Sequence, residues 1–361
     1  MLSWLRGGTM RRMRFDSTFA GAPADVAAAV AAAQDAGYDG LTIAELRHDP
    51  FVVATLACAV PARLRIGTGV AIAFARSPMT VAQSAWDLHR LSDGRFELGL
   101  GSQIEPHITK RFSMPWGQPA ARMREYIAAV RAIWAAWQEG TRLTFRGEFY
   151  THTLMTPMFN PGPLTVPPPR IQLAAVGPLM IAVAAQAADG LIVHPFTTHG
   201  YLTEVITPLV ERHLSGRDRG AFELNGQVMV ATGANEREER SAVEEVKAQL
   251  AFYGSTPAYR PVWEHHGLGA LGDELNRLSK RGLWQEMAGL IDDATLDHFA
   301  VRGTPEEAGA ELARRYAGRF DRLAPTLMGP HGPALAARVI AGARNAPHPG
   351  RVTPTGPRPP E

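Results

Sequence analysis

The segment AELRHDP places a carboxylate and an imidazole three residues apart, directly after a short apolar run. Glu45 and His48 carry these groups, and the apolar run at residues 40–44 is predicted to form a β-strand. At the carboxyl end of a strand, such a pair can orient a bound ring or transfer a proton. Their alternative roles are a helix cap and a solvent-exposed histidine. We therefore treat Glu45 and His48 as candidate catalytic residues.

Further titratable side chains follow two later predicted strands. Glu105 and His107 come after the strand at 95–100, and His194 and His199 flank the end of a later strand. Any of these groups could protonate a substrate, and His107 is the third catalytic candidate. The sequence contains neither HExxH nor GxSxG. We predict no metal site and no hydrolase.

Glycines close two neighbouring predicted strands. Gly67 and Gly69 lie near the end of one, and Gly99 and Gly101 end the next. Glycine at this position lets a phosphate or a flat ring approach the backbone, or it simply allows close packing inside a barrel. The spacing does not match GxGxxG, so a Rossmann dinucleotide site is not indicated.

Val176-Gly177-Pro178 joins a predicted strand, 171–175, to a predicted helix. Free backbone N–H groups at the start of a helix can hold an anion. An ordinary connection between a strand and a helix is the alternative.

Strands and helices alternate along the whole chain, which favours a closed (β/α)8 TIM barrel over an open doubly wound sheet. In such a barrel, ligands bind where the strands end. The rhythm is interrupted by insertions at about 102–169, after strand four, and 253–300, after strand seven. Residues 236–252, between strand seven and the second insertion, are predicted to form a helix. The predicted strands are 14–19, 40–44, 64–72, 95–100, 171–175, 190–194, 227–232 and 322–328. We expect an N-terminal extension at 1–12, one domain at 13–345, and a disordered Pro- and Arg-rich tail at 346–361.

Composition limits the class of protein. The 361 residues are 45% hydrophobic and 20% charged, which predicts a globular chain with a large core. The net charge of +2 gives no basic face for nucleic acid. Cys58, the only cysteine, excludes an internal disulfide and fits a reducing compartment. With no apolar run of about 18 residues and no signal peptide, we expect a cytoplasmic protein that does not interact with membranes.

Several long segments resemble a known superfamily. IGTGVAIAFARSPMTVAQSAWDLHRLSDGRFELGLGSQ is similar to the luciferase-like flavin and deazaflavin oxidoreductases. GSQIEPHITKRFSMPW, ARMREYIAAVRAIW and FRGEFYTHTLMTPMF resemble its F420-dependent members. The resemblance implies a bacterial luciferase-like (β/α)8 barrel that binds coenzyme F420 or, alternatively, FMN.

The resemblance also implies which residues bind the cofactor. They are Gly69, Val70, Gly101, Ser102, Gln103, Ala175, Val176 and Gly177. The first two would form a bulge with a non-prolyl cis peptide that supports one face of the ring. The turn after strand four would contact the ring or the ribityl group, and the last three residues would hold the phosphate with their backbone amides.

At two positions that carry catalytic groups in relatives, this chain has a different residue. Glu45 matches the acidic residue that closes strand two, but several relatives follow it with histidine where this chain has Leu46. The nearest imidazole is His48. A glutamate of the sugar-phosphate dehydrogenase branch aligns with Ile104, one place before Glu105, so a sugar-phosphate substrate is not carried over.

The leading hypothesis is an F420-dependent oxidoreductase that transfers hydride between the deazaflavin and a small, apolar organic substrate. The aromatic residues of the insertions suggest the apolar substrate. One alternative is an FMN-dependent monooxygenase of the same superfamily. Another is a non-catalytic flavin- or deazaflavin-binding protein. A homodimer is expected by analogy with relatives.

Overall fold

Eight parallel strands form a closed barrel in the computed structural model, which describes residues 12–329 and 331–346. The barrel strands are β1 Arg14–Phe19, β2 Gly40–Ile43, β3 Arg65–Thr68, β4 Phe96–Gly101, β5 Ile171–Ala175, β6 Gly190–Val193, β7 Glu223–Ala231 and β8 Arg322–Met328. β8 pairs with β7 on one side and with β1 on the other, which closes the barrel. The (β/α)8 prediction is confirmed. The predicted extension, apart from Arg12, and the predicted tail, apart from Ala346, lie outside the described residues.

Helices surround the barrel and cover one of its ends. They are α1 Val26–Asp35, α2 Pro50–Ala59, α3 Pro78–Leu91, α4 Pro119–Glu139, α5 Pro178–Ala187, α6 Thr207–His213, α7 Glu236–Gly254, α8 Pro305–Tyr316 and α9 Pro333–Asn345. Capping residues and prolines determine where several of these helices begin. Ser77 caps α3, whose first residue is proline, and Thr304 forms a capping box with Glu307 at the start of α8. Among the described residues, we find no candidate for a membrane-spanning helix.

The predicted strand at 64–72 is interrupted. β3 ends at Thr68, the peptide bond Gly69–Val70 is cis as the resemblance implied, and Ala71–Ile72 then pairs separately with β4. The Thr68 hydroxyl donates to the carbonyl of Gly99 at 2.7 Å and accepts from the N–H of the same residue at 2.9 Å. This side-chain bridge joins β3 to β4 where the backbone leaves the strand.

The insertion after β4 contains a π-helical turn, His107–Arg111, then α4 and a short antiparallel hairpin. The hairpin pairs Phe145–Arg146 with Thr151–His152. The insertion after β7 is helical. Its short helices are Arg260–His265, Gly269–Ser279, Trp284–Gly289 and Asp293–Phe299. A short strand that was not predicted, Ala300–Arg302, ends this insertion and pairs with the last residues of β7.

The helix predicted at residues 236–252 is present as α7, and it does not lie on the outer surface of the barrel. On α7, Glu245 accepts from the Gly329 N–H, just after β8, at 2.9 Å. The Tyr253 ring lies 4.9 Å from the His194 ring, just after β6. The helix therefore extends across the carboxyl-terminal end of the barrel and belongs to the insertion. Its amphipathic pattern predicted a helix correctly but could not tell which surface the apolar face would cover.

The insertion after β7 has its own hydrophobic core, which also includes residues at the ends of β6 and β7. Its buried members include Phe196, Met229, Ala242, Val246, Leu250, Trp263, Leu275, Met287, Leu296 and Phe299. Several aromatic residues that suggested an apolar substrate therefore stabilise the insertion itself. These residues therefore give no support to the predicted apolar substrate.

A network of charged side chains lies inside the barrel. The Arg65 guanidinium contacts Asp16 at 3.1 Å, Glu97 at 2.5 Å and Glu223 at 3.2 Å. Arg322 pairs with Asp16 through two hydrogen bonds. These side chains are at most 18% exposed, and they come from five strands, β1, β3, β4, β7 and β8. The network therefore links strands that are far apart in sequence.

Replacing Arg65 by methionine should destabilise the barrel strongly. Three buried or nearly buried carboxylates would lose a shared cation, and breaking such a pair costs about 3–5 kcal/mol. The measurement is the free energy of unfolding in urea. Arg63→Met is the matched control, because Arg63 is exposed and its side chain has no ion pair with the described residues. Equal stability of the two variants would contradict the role assigned to the network.

The same network predicts a loss of stability in acid. Burial by itself raises the pKa of Asp16 and Glu223, but Arg65 and Arg322 lower both pKa values below their usual range. A carboxyl with a lower pKa in the folded chain stabilises the fold above its unfolded pKa, and this contribution disappears as pH falls through the folded pKa. Urea unfolding should therefore require less denaturant as pH drops below about 4. Arg65→Met should show a shallower dependence, and a dependence as steep as that of the wild type would count against this explanation.

Candidate functional site

The residues that directly follow β2 to β6 define one end of the barrel, here called the barrel mouth. They are Ala44, Gly69, Ser102, Val176 and His194. Ligands of such barrels bind at this end. The cavity inside the barrel is only about 40 Å³, and it is lined by polar groups that include Gln172 and Asn225. It has room for a water molecule but not for a cofactor ring.

Glu45 is buried at the mouth, and both of its carboxylate oxygens are already engaged. Oε2 accepts from the backbone N–H of Ile72 at 2.7 Å and from Arg76 Nη1 at 2.8 Å. Oε1 accepts from Arg76 Nη2 at 3.0 Å. The second carboxylate on this arginine is Asp49, the N-cap of α2. Glu45 therefore holds the chain segment after β3 in place, and this geometry favours a positioning role over the predicted catalytic one.

His48 and His107 are both exposed in the loops after β2 and β4. Neither ring makes a hydrogen bond with another described residue, so both are free to contact a ligand. The loops that carry them are connected, because Arg111 Nη2 donates to the Leu46 carbonyl at 2.9 Å. The two predicted acids thus lie on adjoining loops at the mouth, while His199 instead contacts the buried Tyr316 of α8.

The glycines at the ends of β3 and β4 are required for packing. A Cβ atom on Gly69 would lie 2.0 Å from the Thr42 methyl carbon, and one on Gly101 would lie 2.6 Å from a Val70 methyl carbon. Of the two roles left open by the sequence, close packing accounts for both glycines.

Ser102 and Gln103 form a tight turn after β4. Gln103 has a φ angle of +60°, which is uncommon for residues other than glycine. Its side-chain oxygen accepts from the Ile104 N–H at 3.0 Å, and its carbonyl accepts from the Ser102 hydroxyl at 3.1 Å. The side-chain amide nitrogen of Gln103 has no partner among the described residues and can donate to a ligand.

The start of α5 is open to a ligand. Ala175 is buried, Val176 is half-buried and Gly177 is exposed at the N-cap position, with no side chain capping the helix. The space around the Cα of Gly177 is empty to 4 Å in the direction of a Cβ. The N–H groups of Gly177 and Leu179 have no acceptor in the described chain. This arrangement can bind an anion.

Exposed apolar side chains surround the same region. Leu46 is 60% exposed, Ile104 53% and Leu179 74%. They follow β2, follow β4 and begin α5, so all three lie near the mouth. Large exposed apolar groups beside a polar anchor are typical of a site that binds an apolar ring.

A further polar pair at the mouth was only half visible in the sequence. His194 was one of several possible acids, but its partner Tyr259 was not singled out. The His194 Nε2 atom lies 2.9 Å from the Tyr259 Oη atom, and the two rings stack 4.6 Å apart. Because 65 residues separate them, only the folded chain brings them together.

Replacing Glu45 by glutamine should reduce stability and weaken ligand binding at the mouth. The amide oxygen of the new side chain can still accept from Ile72, but the ion pair with Arg76 is lost, which costs about 1–3 kcal/mol. The matched control is Asp49→Asn, because Asp49 binds the same arginine but is 46% exposed. Thermal melts and cofactor titrations provide the measurement. A Glu45→Gln variant as stable as Asp49→Asn would contradict the positioning role.

Comparison with known proteins places the chain in a family. A model of the luciferase-like monooxygenases matches residues 7–322. The uncharacterized protein Rv1360 of Mycobacterium tuberculosis is 52% identical over 323 residues, covering 89% of this chain and 95% of that protein. The 5,10-methylenetetrahydromethanopterin reductase of Archaeoglobus fulgidus is 26% identical, covering 76% and 81%. The phthiodiolone/phenolphthiodiolone dimycocerosates ketoreductase of M. tuberculosis is also 26% identical, covering 74% and 71%.

Solved structures share the fold. The coenzyme F420 dependent tetrahydromethanopterin reductase from Methanopyrus kandleri superposes with a TM-score of 0.74 at 18% identity, covering 91% of this chain and 97% of that one. The EDTA monooxygenase from Chelativorans sp. BNC1 superposes with a TM-score of 0.69 at 14% identity, covering 92% of this chain and 94% of that one. Since the family match spans most of the 361 residues and the barrel agrees with it, this chain belongs to the luciferase-like monooxygenase family.

Proposed function

We propose that this protein is an oxidoreductase that uses coenzyme F420 to transfer hydride to or from a small organic substrate. The observation that carries the proposal is the uncapped start of α5, which opens into empty space at the barrel mouth. Deazaflavin and flavin cofactors both present a phosphate to such a site. A relative named as a putative coenzyme F420-dependent oxidoreductase, Rv3520c of Mycobacterium tuberculosis, supports the choice of F420.

The described residues fit such a cofactor. The N–H groups of Gly177 and Leu179 would bind its phosphate, and Leu46 and Ile104 offer apolar surface for its ring. The free amide nitrogen of Gln103 would donate to a polar edge. The bound cofactor would supply the hydride, while the protein orients the ring and restricts water.

Exchange of protons between the site and solvent is assigned to exposed imidazoles at the mouth. His48 and His107 are exposed on adjoining loops, so either can exchange a proton with water between turnovers. Glu45 contributes by holding the segment after β3 through Arg76 and does not transfer the proton.

An FMN-dependent monooxygenase is the second candidate, because the matched family is described as monooxygenases and the anion site at α5 suits FMN equally well. Reduced FMN reacts readily with oxygen, whereas a reduced deazaflavin hardly does. Fluorescence titration with each cofactor, followed by oxygen consumption with the reduced form, separates the two. Tight binding without turnover of any acceptor would instead support a non-catalytic cofactor-binding protein.

The Gly177→Asp substitution should separate helix stability from cofactor binding. Aspartate is a favourable N-cap, so the melting temperature should stay the same or rise. The added carboxylate would repel the phosphate and weaken F420 binding by about tenfold or more. Fluorescence titration measures the affinity.

Gly177→Ala is the matched control, since Gly177 has a φ angle of −80° and open space for a Cβ atom. It should bind F420 like the wild type. Equal affinities of the aspartate and alanine variants would show that the phosphate does not bind at α5. Failure of the wild type to bind either cofactor would reject the proposed function itself.

A further inference from the structure

The protonation of His194 is determined by its contacts. Its Nδ1 atom accepts a hydrogen bond from the Phe196 backbone N–H at 3.0 Å, so this nitrogen carries no proton. The neutral ring therefore carries its proton on Nε2. That atom lies 2.9 Å from the Tyr259 Oη atom and must be the donor of this second bond.

This tautomer of His194 determines what the hydroxyl of Tyr259 can do. Its oxygen accepts from His194, so its own proton remains available to a third group. The part of the chain that the structure describes provides no acceptor for that proton. Burial shifts the pKa of His194 down to about 4 and that of Tyr259 up to about 12, with Tyr253 adding to the latter. At neutral pH the histidine thus stays neutral and the tyrosine stays protonated.

The pair faces the site described above. Side chains alternate along a strand, and Ile192 of β6 lines the barrel interior, so His194, two residues later, points toward the barrel axis at the mouth. β6 is paired with β5, and Ala175 opposes Val193 in the register. His194 therefore lies beside the residues that open α5.

Aromatic rings hold the pair rigidly and leave one side open. Tyr259 stacks on His194 with an interplanar angle of 24°, and Tyr253 meets the same imidazole edge-on. Phe196 is fully buried behind them. His194 and Tyr259 are only half-buried, so part of the pair remains accessible to a ligand.

We infer that Tyr259, positioned by His194, donates a hydrogen bond and then its proton to the oxygen of a carbonyl substrate. This inference rests on the proposed function and specifies its substrate class, namely ketones or aldehydes with an apolar, ring-sized substituent. A donor aimed at the oxygen stabilises the negative charge that develops when hydride reaches the carbonyl carbon. One relative in the family is a ketoreductase by name.

The step balances with the reduced cofactor as the only reductant. The carbonyl carbon gains a C–H bond with two electrons, which the reduced deazaflavin loses. The π electrons of the C=O bond move to oxygen, which forms an O–H bond with the Tyr259 proton. The Tyr259 phenolate, stabilised by the His194 Nε2–H, then takes a proton from water. The reverse sequence oxidises an alcohol.

Equilibrium binding of two matched probes tests the inference without turnover. Acetophenone carries the carbonyl acceptor, whereas α-methylstyrene has the same shape without it. The wild type, loaded with oxidised F420, should bind acetophenone about tenfold more tightly than α-methylstyrene, the value of one good hydrogen bond. Tyr259→Phe should bind the two equally and should still unfold in a single cooperative thermal transition.

Two further variants complete the test. Tyr201→Phe removes the hydroxyl of another half-buried tyrosine, which contacts His265 instead, and should keep the wild-type preference. His194→Phe keeps the ring stack but frees the Tyr259 hydroxyl to rotate, so the preference should decrease. In addition, ¹⁵N NMR should show His194 protonated on Nε2 and not on Nδ1 at neutral pH.

The outcomes separate this inference from the proposed function. No preference for acetophenone in the wild type, or the same preference in Tyr259→Phe, overturns the role of Tyr259 whether or not F420 binds. If F420 fails to bind but the probe preference is present in the unloaded protein and lost in Tyr259→Phe, the carbonyl site stands and the cofactor assignment is wrong. With F420 bound, Tyr259→Phe should also reduce kcat for acetophenone by about 10²-fold or more.

Discussion

The ion-pair network inside the barrel is the constraint on which the rest of the structure depends. Arg65 and Arg322 satisfy carboxylates from three strands, β1, β4 and β7, and Arg65 alone contacts all three. A buried charge left without its partner is costly, so these strands must close into one barrel at one register. That register determines which residue stands first after each strand. The mouth, with its open helix start and its free imidazoles, is therefore positioned by charges at the opposite end of the strands.

At the mouth, groups that hold the backbone differ from groups that remain free for a ligand. Glu45 and Arg76 use their hydrogen-bonding capacity on each other and on the segment after β3. Gly69 and Gly101 allow close packing, because a Cβ atom at either position would collide with a neighbouring side chain. By contrast, the start of α5 and the hydroxyl of Tyr259 have unused donors. Phosphate binding and substrate polarisation are assigned to these unused donors, because satisfied groups have little left to offer a ligand.

The insertion after β7 adds side chains to the mouth that the barrel strands and their short loops do not provide. α7 extends from the end of β8 to the end of β6, and the helices that follow share a core with Phe196 and Met229. This second core fixes Tyr253 and Tyr259 against His194. A rigid insertion can therefore determine which substrate meets the cofactor site while the barrel remains the common scaffold.

Hydrophobic periodicity, caps and long motifs are local signals, so they were enough to predict the barrel, most strand and helix positions and the family. The sequence also located the start of α5, since a strand, a glycine and a proline are consecutive in the chain. Contacts in the folded chain were needed to find the role of Glu45, the placement of α7 and the pairing of His194 with Tyr259. Each depends on a partner 27 to 84 residues away, and no local pattern identifies which distant side chain will satisfy a given polar group.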